Sequence, residues 1–419
     1  MNTSTFFRHT LLALTLAGLA SGSQAQALQD WLPSSAQVAP VLLASPTIEA
    51  ARAHKDAQLQ RARGVEAGSG EWALRLNQQQ RRVRDPQERF AETTVALERP
   101  LRLWGKAGMD TRLAEQDRQV ARIGLADALH EASRQLLAQW FGTLRTQLDA
   151  DSAERELQLA LELNRQARAR LRQGDISPLD ARLAQAELQR SQAQARLMQA
   201  ERARSTALLQ RLYPGLPARP ALPTEGLDLP PLSADMAAAL QDYLTHNHEL
   251  NLLKTEAQRQ QQLAERIERD RWPDPTVGLF SARERAGAEQ LVGVSVAMPL
   301  SGTWRESQAR AAASDARALQ NKVQQLERSL ASDFEARWLQ ATHQQQAVDA
   351  LHQAATTQRL AADKSLTAYT LGEHSMTELI QNRRLANEHQ LASQRLRLDW
   401  LYNRAQIELD AHRLWDLDD

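Results

Sequence analysis

The chain has 419 residues, a formal net charge of +0 and no cysteine. The balanced charge argues against nucleic acid as a partner, and the lack of thiols excludes a disulfide framework, a thiolate metal site and a lipid-bearing cysteine. Glycine (17 residues) and proline (15 residues) are scarce, and a chain dominated by Ala, Leu, Gln, Arg and Glu is typical of long helices.

Residues 1–27 have the layout of a signal peptide. Arg8 supplies a positive charge, and an apolar core follows at 11–20. Small residues predict cleavage after Ala25 or Ala27. The apolar core is too short to span a bilayer, and no later run of about 18 apolar residues exists, so we expect export without a membrane-spanning helix. A membrane β-barrel stays open, because its strands give only weak alternating signals.

The first predicted structural repeat covers 28–212 and combines a helix, two strands and a long helical hairpin. Alternation from Trp72 to Asn77 predicts a strand, and a turn leads to its return strand. No proline then interrupts a helical pattern that ends at Gly174, which predicts a helix of about 69 residues, roughly 100 Å long. The predicted structure is irregular at 28–45 and helical at 46–65. It is then extended at 72–77 and 90–98 around a turn at 84–87, and helical at 105–174 and 178–212.

Gly174 and the Ser177-Pro178 pair predict a sharp break between two helices. Glycine suits the C-terminal cap, Ser177 can cap the next helix, and Pro178 is tolerated in its first turn. A seven-residue step of mostly small side chains follows, which predicts a coiled-coil seam and an antiparallel hairpin; an ordinary amphipathic bundle is the alternative. The predicted seam consists of Leu179, Ala186, Ala193, Ala200 and Ala207, with Leu183 and Leu197 beside it.

A connector with six prolines at 213–233 separates the halves, and 234–419 is predicted to repeat the first half. Its expected elements are a helix at 249–269, strands at 276–282 and 290–297 around a turn at 283–288, a helix at 303–371 and a last helix from 375 to about 414. Landmarks recur at offsets of 198 to 200 residues, and with 9 tryptophans in the chain such coincidences indicate a duplication. The pairs are Trp72 and Trp272, Trp104 and Trp304, Trp140 and Trp338, Gly174 and Gly372, and Ser177 and Ser375.

Each half supplies two strands, so one chain supplies four, which is too few to close a barrel. An open sheet would expose its edges, whereas three chains would together supply about twelve strands. Four tryptophans lie at or near the predicted strand ends: Trp72, Trp104, Trp272 and Trp304. Either they form the interfacial aromatic belt of a membrane barrel, or they pack where the strands meet the helices.

Three local patterns carry a resemblance to a known family. One runs from Val95 to Leu101, where a strand meets Pro-Leu before the first long helix, and the others are the turns at 169–180 and 368–379. Together with the duplicated plan, they make the chain resemble the TolC family of trimeric outer-membrane efflux channels over nearly its whole mature length. Its compact length is most similar to the heavy-metal-resistance branch, which comprises CusC-like copper–silver channels and cobalt–zinc–cadmium channels.

The resemblance implies a mainly α fold with a small β part. Duplicated coiled-coil hairpins and four strands per chain would build, in a homotrimer, a twelve-stranded barrel in outer-membrane lipid and an α-helical tunnel through the periplasm. The hairpin tips would dock with a periplasmic adaptor that links to an inner-membrane pump; alternatively, the tip residues only form the turns. The docking pattern falls on Gly174, Asp175, Ile176, Ser177, Gly372, Glu373, His374 and Ser375.

The resemblance also implies a closed gate at the tips. By motif position, Asp180 matches a gate carboxylate, Tyr369 a gate tyrosine and Glu378 an acid of the constriction ring. His374 stands where the family pattern can carry Arg, and a neutral His would make a weaker link to Asp180. Gln381 stands where a second ring acid can occur, although three copies of Glu378 would still attract cations. The alternative for Asp180 and Glu378 is helix capping.

No motif indicates catalysis, so the prediction is a non-enzyme without cofactor or bound metal. The neighbouring His246 and His248 would point apart on a helix, which does not suit a metal site. The predicted function is a passive exit duct for small molecules or metal ions in a tripartite efflux or type I secretion system. The alternatives are a periplasmic adaptor, which should have a single hairpin and Gly-rich β segments, and a soluble coiled-coil scaffold, which should lack the signal peptide and the strands.

Overall fold

The computed structural model describes residues 32–217, 232, 235–415 and 417. The predicted signal peptide and most of the proline-rich connector lie outside the described residues. The described elements are α1 (Ser35–Leu43), α2 (Pro46–Ala67), β1 (Ala73–Val83), β2 (Glu88–Pro100), α3 (Lys106–Gln173), α4 (Pro178–Leu212), α5 (Met236–His246), α6 (His248–Arg269), β3 (Thr276–Glu284), a short 3-10 helix (Arg285–Gly287), β4 (Glu289–Ala297), α7 (Thr303–Thr370) and α8 (Met376–Asp410).

Helices at corresponding places in the two halves have the same lengths. Both α2 and α6 have 22 residues, both α3 and α7 have 68, and both α4 and α8 have 35. The predicted fold class is confirmed, because the chain is mainly α, with two long helical hairpins and four strands. The limits of the repeats at 28–212 and 234–419 stay a prediction.

Two short helices occupy stretches for which the sequence predicted none. The expectation of irregular structure at 28–45 was wrong, because α1 forms there behind a capping box at Ser34 and buries two apolar side chains. Its 9 residues include Pro40, so the helical pattern is short and interrupted. The other short helix, α5, is capped by Asp235, whose carboxylate accepts a hydrogen bond of 2.8 Å from the N–H of Ala238.

Residues Ala50–Asp127 and His248–Ser329 form one compact unit, the sheet unit. Its four strands are antiparallel in the order β1-β2-β3-β4. The central pair, β2 and β3, joins the two halves of the chain, with Leu97 opposite Leu279. The two outer strands, β1 and β4, therefore each have a neighbour on one side within the described sheet.

The second compact unit, the hairpin unit, comprises the described residues within Ala128–Asn247 and Leu330–Asp419, together with 32–49. In this unit α4 buries one face along a heptad, in which steps of three and four residues alternate. The hydroxyl groups of Thr143 on α3 and Ser205 on α4 lie 3.1 Å apart across this seam. The buried and half-buried seam residues are Ala181, Ala184, Leu188, Ser191, Ala195, Met198, Arg202, Ser205 and Leu209.

The seam predicted on α4 was wrong in position. Leu179 is 65% exposed and Leu197 is 61% exposed, and the four alanines of the predicted stripe are also exposed. Both stripes have a seven-residue period and small side chains, so periodicity alone could not tell which one faces the rest of the chain. The helix therefore has two heptad stripes, one buried within the chain and one uncovered.

Candidate functional site

The four-stranded sheet has one apolar face that is open to the surroundings. Directly paired residues of antiparallel strands point to the same side, and one such row contains Leu74, Leu97, Leu279 and Val294. Of these, Leu279 is 63% exposed and Val294 is 69% exposed. The flanking rows extend the apolar face with Leu76, Val95, Val277, Val292 and Val296.

The opposite face of the sheet is the more polar one, and its charged side chains are paired with one another. Glu92 is buried, and it accepts hydrogen bonds from Gln79 at 2.9 Å and Arg81 at 3.3 Å. Nearer the other end of the strands, Arg75 pairs with Glu98 at 3.0 Å. The sheet thus separates an exposed apolar face from a hydrogen-bonded polar face, which is the pattern of a wall between an apolar medium and water.

The four tryptophans predicted to border the membrane are all exposed: Trp72, Trp104, Trp272 and Trp304. The Trp104 and Trp272 rings lie 6.5 Å apart between centroids, and the Arg99 guanidinium lies 5.4 Å from the centre of the Trp72 ring. Their exposure leaves both predicted roles open, since each lies beside a strand end and touches the outside. The interfacial role stays a prediction.

Sequence reasoning missed Lys106, which begins α3 and is fully buried. Its ammonium group donates to the backbone oxygen of Trp272 at 2.7 Å and pairs with Asp270 and Asp274 at 3.1 Å and 3.0 Å. Asp274 also accepts from the N–H of Leu103 at 3.1 Å. These contacts join the two strand-to-helix junctions, and no local pattern could have shown them, because the partners are more than 160 residues apart.

The two hairpin turns have the same backbone geometry. The first helix of each hairpin ends at a glycine with positive φ, +80° at Gly174 and +82° at Gly372. The N–H of the next residue, Asp175 or Glu373, bonds the carbonyl five residues earlier at 2.9 Å in both turns. This is the Schellman arrangement, which satisfies the last carbonyls of a helix. The predicted tip residues thus form the turns, and their docking role stays a prediction.

The next helix of each hairpin begins with the same serine cap. Ser177 accepts from the N–H of Asp180 at 3.1 Å, and Ser375 accepts from the N–H of Glu378 at 3.2 Å. Glu378 reaches back to the N–H of Ser375 at 2.8 Å. That bond, followed by the one from the Ser375 hydroxyl, holds the pKa of Glu378 below its usual value. The Glu378 carboxylate therefore caps its own helix, whereas among the described residues the Asp180 carboxylate accepts only from the Ser177 hydroxyl, at 2.8 Å.

An apolar cluster joins the two hairpins next to their turns. Tyr369 of α7 belongs to it, together with Leu163, Ala167, Ala184, Met376 and Leu379. The Arg170 guanidinium lies 5.2 Å from the centre of the Tyr369 ring, while the buried hydroxyl of Tyr369 has no hydrogen-bond partner among the described residues. Burial raises the pKa of Tyr369, which the nearby Asp180 raises further and Arg170 lowers. Ile176, a predicted docking residue, packs partly against the same cluster.

His374 contacts Ser365 and not the Asp180 carboxylate. Its Nδ1 is 3.3 Å from the hydroxyl of Ser365, a buried group that also accepts from Asn382 at 3.1 Å. Over the described ranges no hydrogen bond joins His374 to Asp180. Asp180 thus acts on Tyr369 only by raising its pKa, whereas His374 contacts Ser365 of its own hairpin.

Two buried carboxylates in the hairpin unit were not singled out from the sequence. Glu187 binds Arg190 at 2.8 Å and also binds Arg384, and these two arginines lower its pKa although burial alone would raise it. Asp410 at the end of α8 is bound by Arg134 at 2.9 Å and Arg337 at 2.6 Å. Only Arg190 lies at helical spacing from its acid, three residues after Glu187 on α4. Arg384, Arg134 and Arg337 come from other helices, so local spacing could not have shown their ion pairs.

Within the part of the chain that the structure describes, no group of three or more His, Asp or Glu side chains is arranged to hold a metal ion. His246 bonds its own helix through the backbone oxygen of Asp242 at 3.0 Å. Over the same residues, no helix combines the length and the apolar character needed to cross a membrane.

No protein-family model matches the sequence, and no curated protein matches it significantly. Solved structures do match. The CmeC outer membrane channel of Campylobacter jejuni aligns with a TM-score of 0.73 at 12% identity, over 93% of this chain and 87% of CmeC. The outer membrane protein VceC of Vibrio cholerae aligns with 0.70 at 15% identity, over 94% of this chain and 96% of VceC. CusC aligns with 0.66 at 12% identity, over 93% of this chain and 92% of CusC.

These alignments span nearly the whole chain, so it has the fold of outer-membrane channels, and the resemblance seen in the sequence is confirmed at the level of the fold. The matching proteins are described as channels or outer-membrane proteins, and the non-enzyme stays a prediction. The TM-score of CusC lies below those of CmeC and VceC. The fold therefore does not favour the CusC-like branch, which stays a prediction.

Proposed function

We propose that the chain is one subunit of a trimeric outer-membrane channel of the TolC family and acts as a passive exit duct for small molecules or metal ions. Residues 1–27 would direct export and be removed. The four strands would join those of two further copies in a barrel surrounded by outer-membrane lipid. The hairpins would lie in the periplasm, where their tips dock with an adaptor bound to an inner-membrane pump.

The observation that carries this proposal is the two-faced sheet with unpaired edges. A row of exposed leucines and valines across all four strands has no apolar cover within the described chain. The outer strands β1 and β4, with 11 and 9 residues, also leave one side unpaired in the described sheet. Long unpaired edges and a large apolar face favour association in a soluble protein. Further copies would pair the edges, and lipid would cover the face.

Substitutions on adjacent residues of β4 test which medium covers the sheet. Val294 lies on the apolar face and Ser295 on the polar face. A lysine on a lipid-facing barrel residue costs about 2–4 kcal/mol near the membrane centre. We expect Val294→Lys to reduce the amount of heat-modifiable trimer in the outer-membrane fraction, whereas Ser295→Lys serves as the matched control for the added charge.

The wild-type chain should fractionate with the outer membrane and migrate on gels as a trimer that dissociates on heating. A soluble periplasmic monomer would contradict the proposal and favour an adaptor or a coiled-coil scaffold. Equal yields of assembled Val294→Lys and Ser295→Lys would show that lipid does not cover the leucine and valine face.

A further inference from the structure

A cleft of about 440 Å³ lies in the hairpin unit between α3, α7 and α8. Its volume lies in the range of small-molecule sites. One arginine from each helix lines it: Arg155 of α3, Arg359 of α7 and Arg383 of α8. We name it the arginine cleft. Asp363 is the one acid in its lining, so three arginines and one aspartate give the lining a net charge of +2.

The three arginines lack the carboxylate partners that other arginines of the hairpin unit have. None of them has a carboxylate within the 4.0 Å ion-pair distance in the ranges that the structure describes. By contrast, Arg384, the residue next to Arg383, binds the buried Glu187. Three guanidinium groups line one cleft without an ion pair, so the cleft as it stands is deficient in negative charge.

Arg383 is the most enclosed of the three. It is half-buried, whereas Arg155 and Arg359 are exposed at the rim. Burial lowers the pKa of Arg383, and the attraction of Asp363 offsets this in part. A guanidinium that is already partly desolvated and has no partner gains more from an incoming anion than a fully solvated guanidinium does. The reason is that less of its own hydration remains to be removed on binding.

The remaining lining narrows the chemistry of the ligand. Leu159 and Leu366 form apolar walls. The amide of Asn387 is already engaged, since it accepts from Ser152 at 3.0 Å and donates to Glu156 at 3.1 Å. The side-chain amides of Gln390 and Gln394 also line the cleft. Guanidinium groups, amides and apolar surface are thus available for recognition, a combination that suits a charged head on an apolar body.

We propose that the arginine cleft binds an amphiphilic organic anion, a carboxylate or sulfonate on an apolar body of small-molecule size. The guanidinium of Arg383 would take the anionic group, Arg155 and Arg359 would add charge at the rim, and Leu159 and Leu366 would contact the apolar body. The cleft lies within one chain, so the proposal is independent of the channel function, and either can fail without the other.

The test compares two dyes that differ by one charged group. Anilinonaphthalene sulfonate carries a sulfonate, and phenylnaphthylamine is the same skeleton without it. Saturable fluorescence binding is measured for both dyes on the full-length protein and on variants in the same detergent, so that the contribution of micelles cancels. The variants are Arg383→Gln, Asp363→Asn and Arg168→Gln, the last removing an exposed arginine of α3 that lies outside the lining.

We expect Arg383→Gln to weaken binding of the sulfonate dye about ten-fold and to leave the neutral dye unchanged, because a charged hydrogen-bond partner is lost. Asp363→Asn should tighten binding of the sulfonate dye about three-fold, since a repelling carboxylate is removed. Arg168→Gln should bind both dyes as the wild type does. No saturable sulfonate binding by the wild type, or equal losses for both dyes in Arg383→Gln, would overturn the proposal. Circular dichroism verifies that each variant is folded.

Discussion

Replacing Tyr369 by phenylalanine removes its hydroxyl and little else. The ring remains in the apolar cluster with Met376 and Leu379, and Arg170 still lies over its face. Within the described chain the buried hydroxyl has no partner, and an unsatisfied buried polar group costs about 1–3 kcal/mol. We therefore expect Tyr369→Phe to raise the free energy of unfolding by about 1 kcal/mol. Tyr369→Ala empties the ring site and should lower it by about 3–5 kcal/mol.

The same pair of variants tests how Tyr369 contributes to a closed tip. If packing of the ring holds the two hairpins together, Tyr369→Phe should conduct as the wild type does in planar bilayers, and Tyr369→Ala should conduct more. Single-channel recordings measure the conductance of each variant. The apparent midpoint of thermal unfolding reports the change in stability. A Tyr369→Phe channel that opens as far as Tyr369→Ala would refute this reasoning, because the hydroxyl would then need a partner on another copy.

Three further predictions concern the hairpin unit. Gly372→Ala should lower the thermal midpoint, since a non-glycine residue at φ +82° costs about 1 kcal/mol, whereas Gly142→Ala, inside α3 with open space around it, should raise it slightly. Asp410→Asn should cost about 3–5 kcal/mol, because it leaves Arg134 and Arg337 without their buried carboxylate partner. Asp399 is a half-buried acid on the same helix that binds Arg145, and Asp399→Asn should cost less than about 1 kcal/mol. Equal losses would contradict the difference in burial. The pKa of Glu187 is lower in the folded than in the unfolded chain, so ionised Glu187 stabilises the fold above its unfolded pKa of about 4.3, and this stabilisation is lost as pH falls through the folded pKa. Thermal unfolding of Glu187→Gln should therefore depend less on pH between neutral and acid conditions than that of the wild type. An unchanged pH profile would exclude Glu187 as a source of acid lability.

The long helices could be predicted closely because their ends carry local signals. A glycine that can adopt positive φ ends α3, and a serine followed by proline begins α4 at the predicted residue. The first strand was predicted too short, since β1 runs to Val83. Its second part, from Asn77 to Arg82, is polar at every residue, so it shows no alternation, and its extended form depends on pairing with β2.

The arrangement of the candidate site depends on contacts that sequence patterns do not contain. Motif position predicted that Asp180 and Tyr369 are both gate residues, and that role stays a prediction. It could not predict that Ser365 holds His374 or that Arg170 covers the Tyr369 ring. Ser365 lies on the helix before the turn, outside the motif. Arg170 reaches the Tyr369 ring from the other hairpin, so its approach is set by how the two hairpins pack.

The misplaced seam on α4 bears on the proposed assembly. A helix in a two-helix hairpin needs one apolar stripe, whereas a helix in the wall of a tunnel has a neighbour on each side and needs two. One stripe of α4, which includes Ala184 and Ala195, is buried within the chain. The other, which includes Leu179 and Leu197, follows the same seven-residue step and is exposed. No helix of the described residues covers this second stripe. Small residues permit close helix approach, so a neighbouring helix of another copy would fit it.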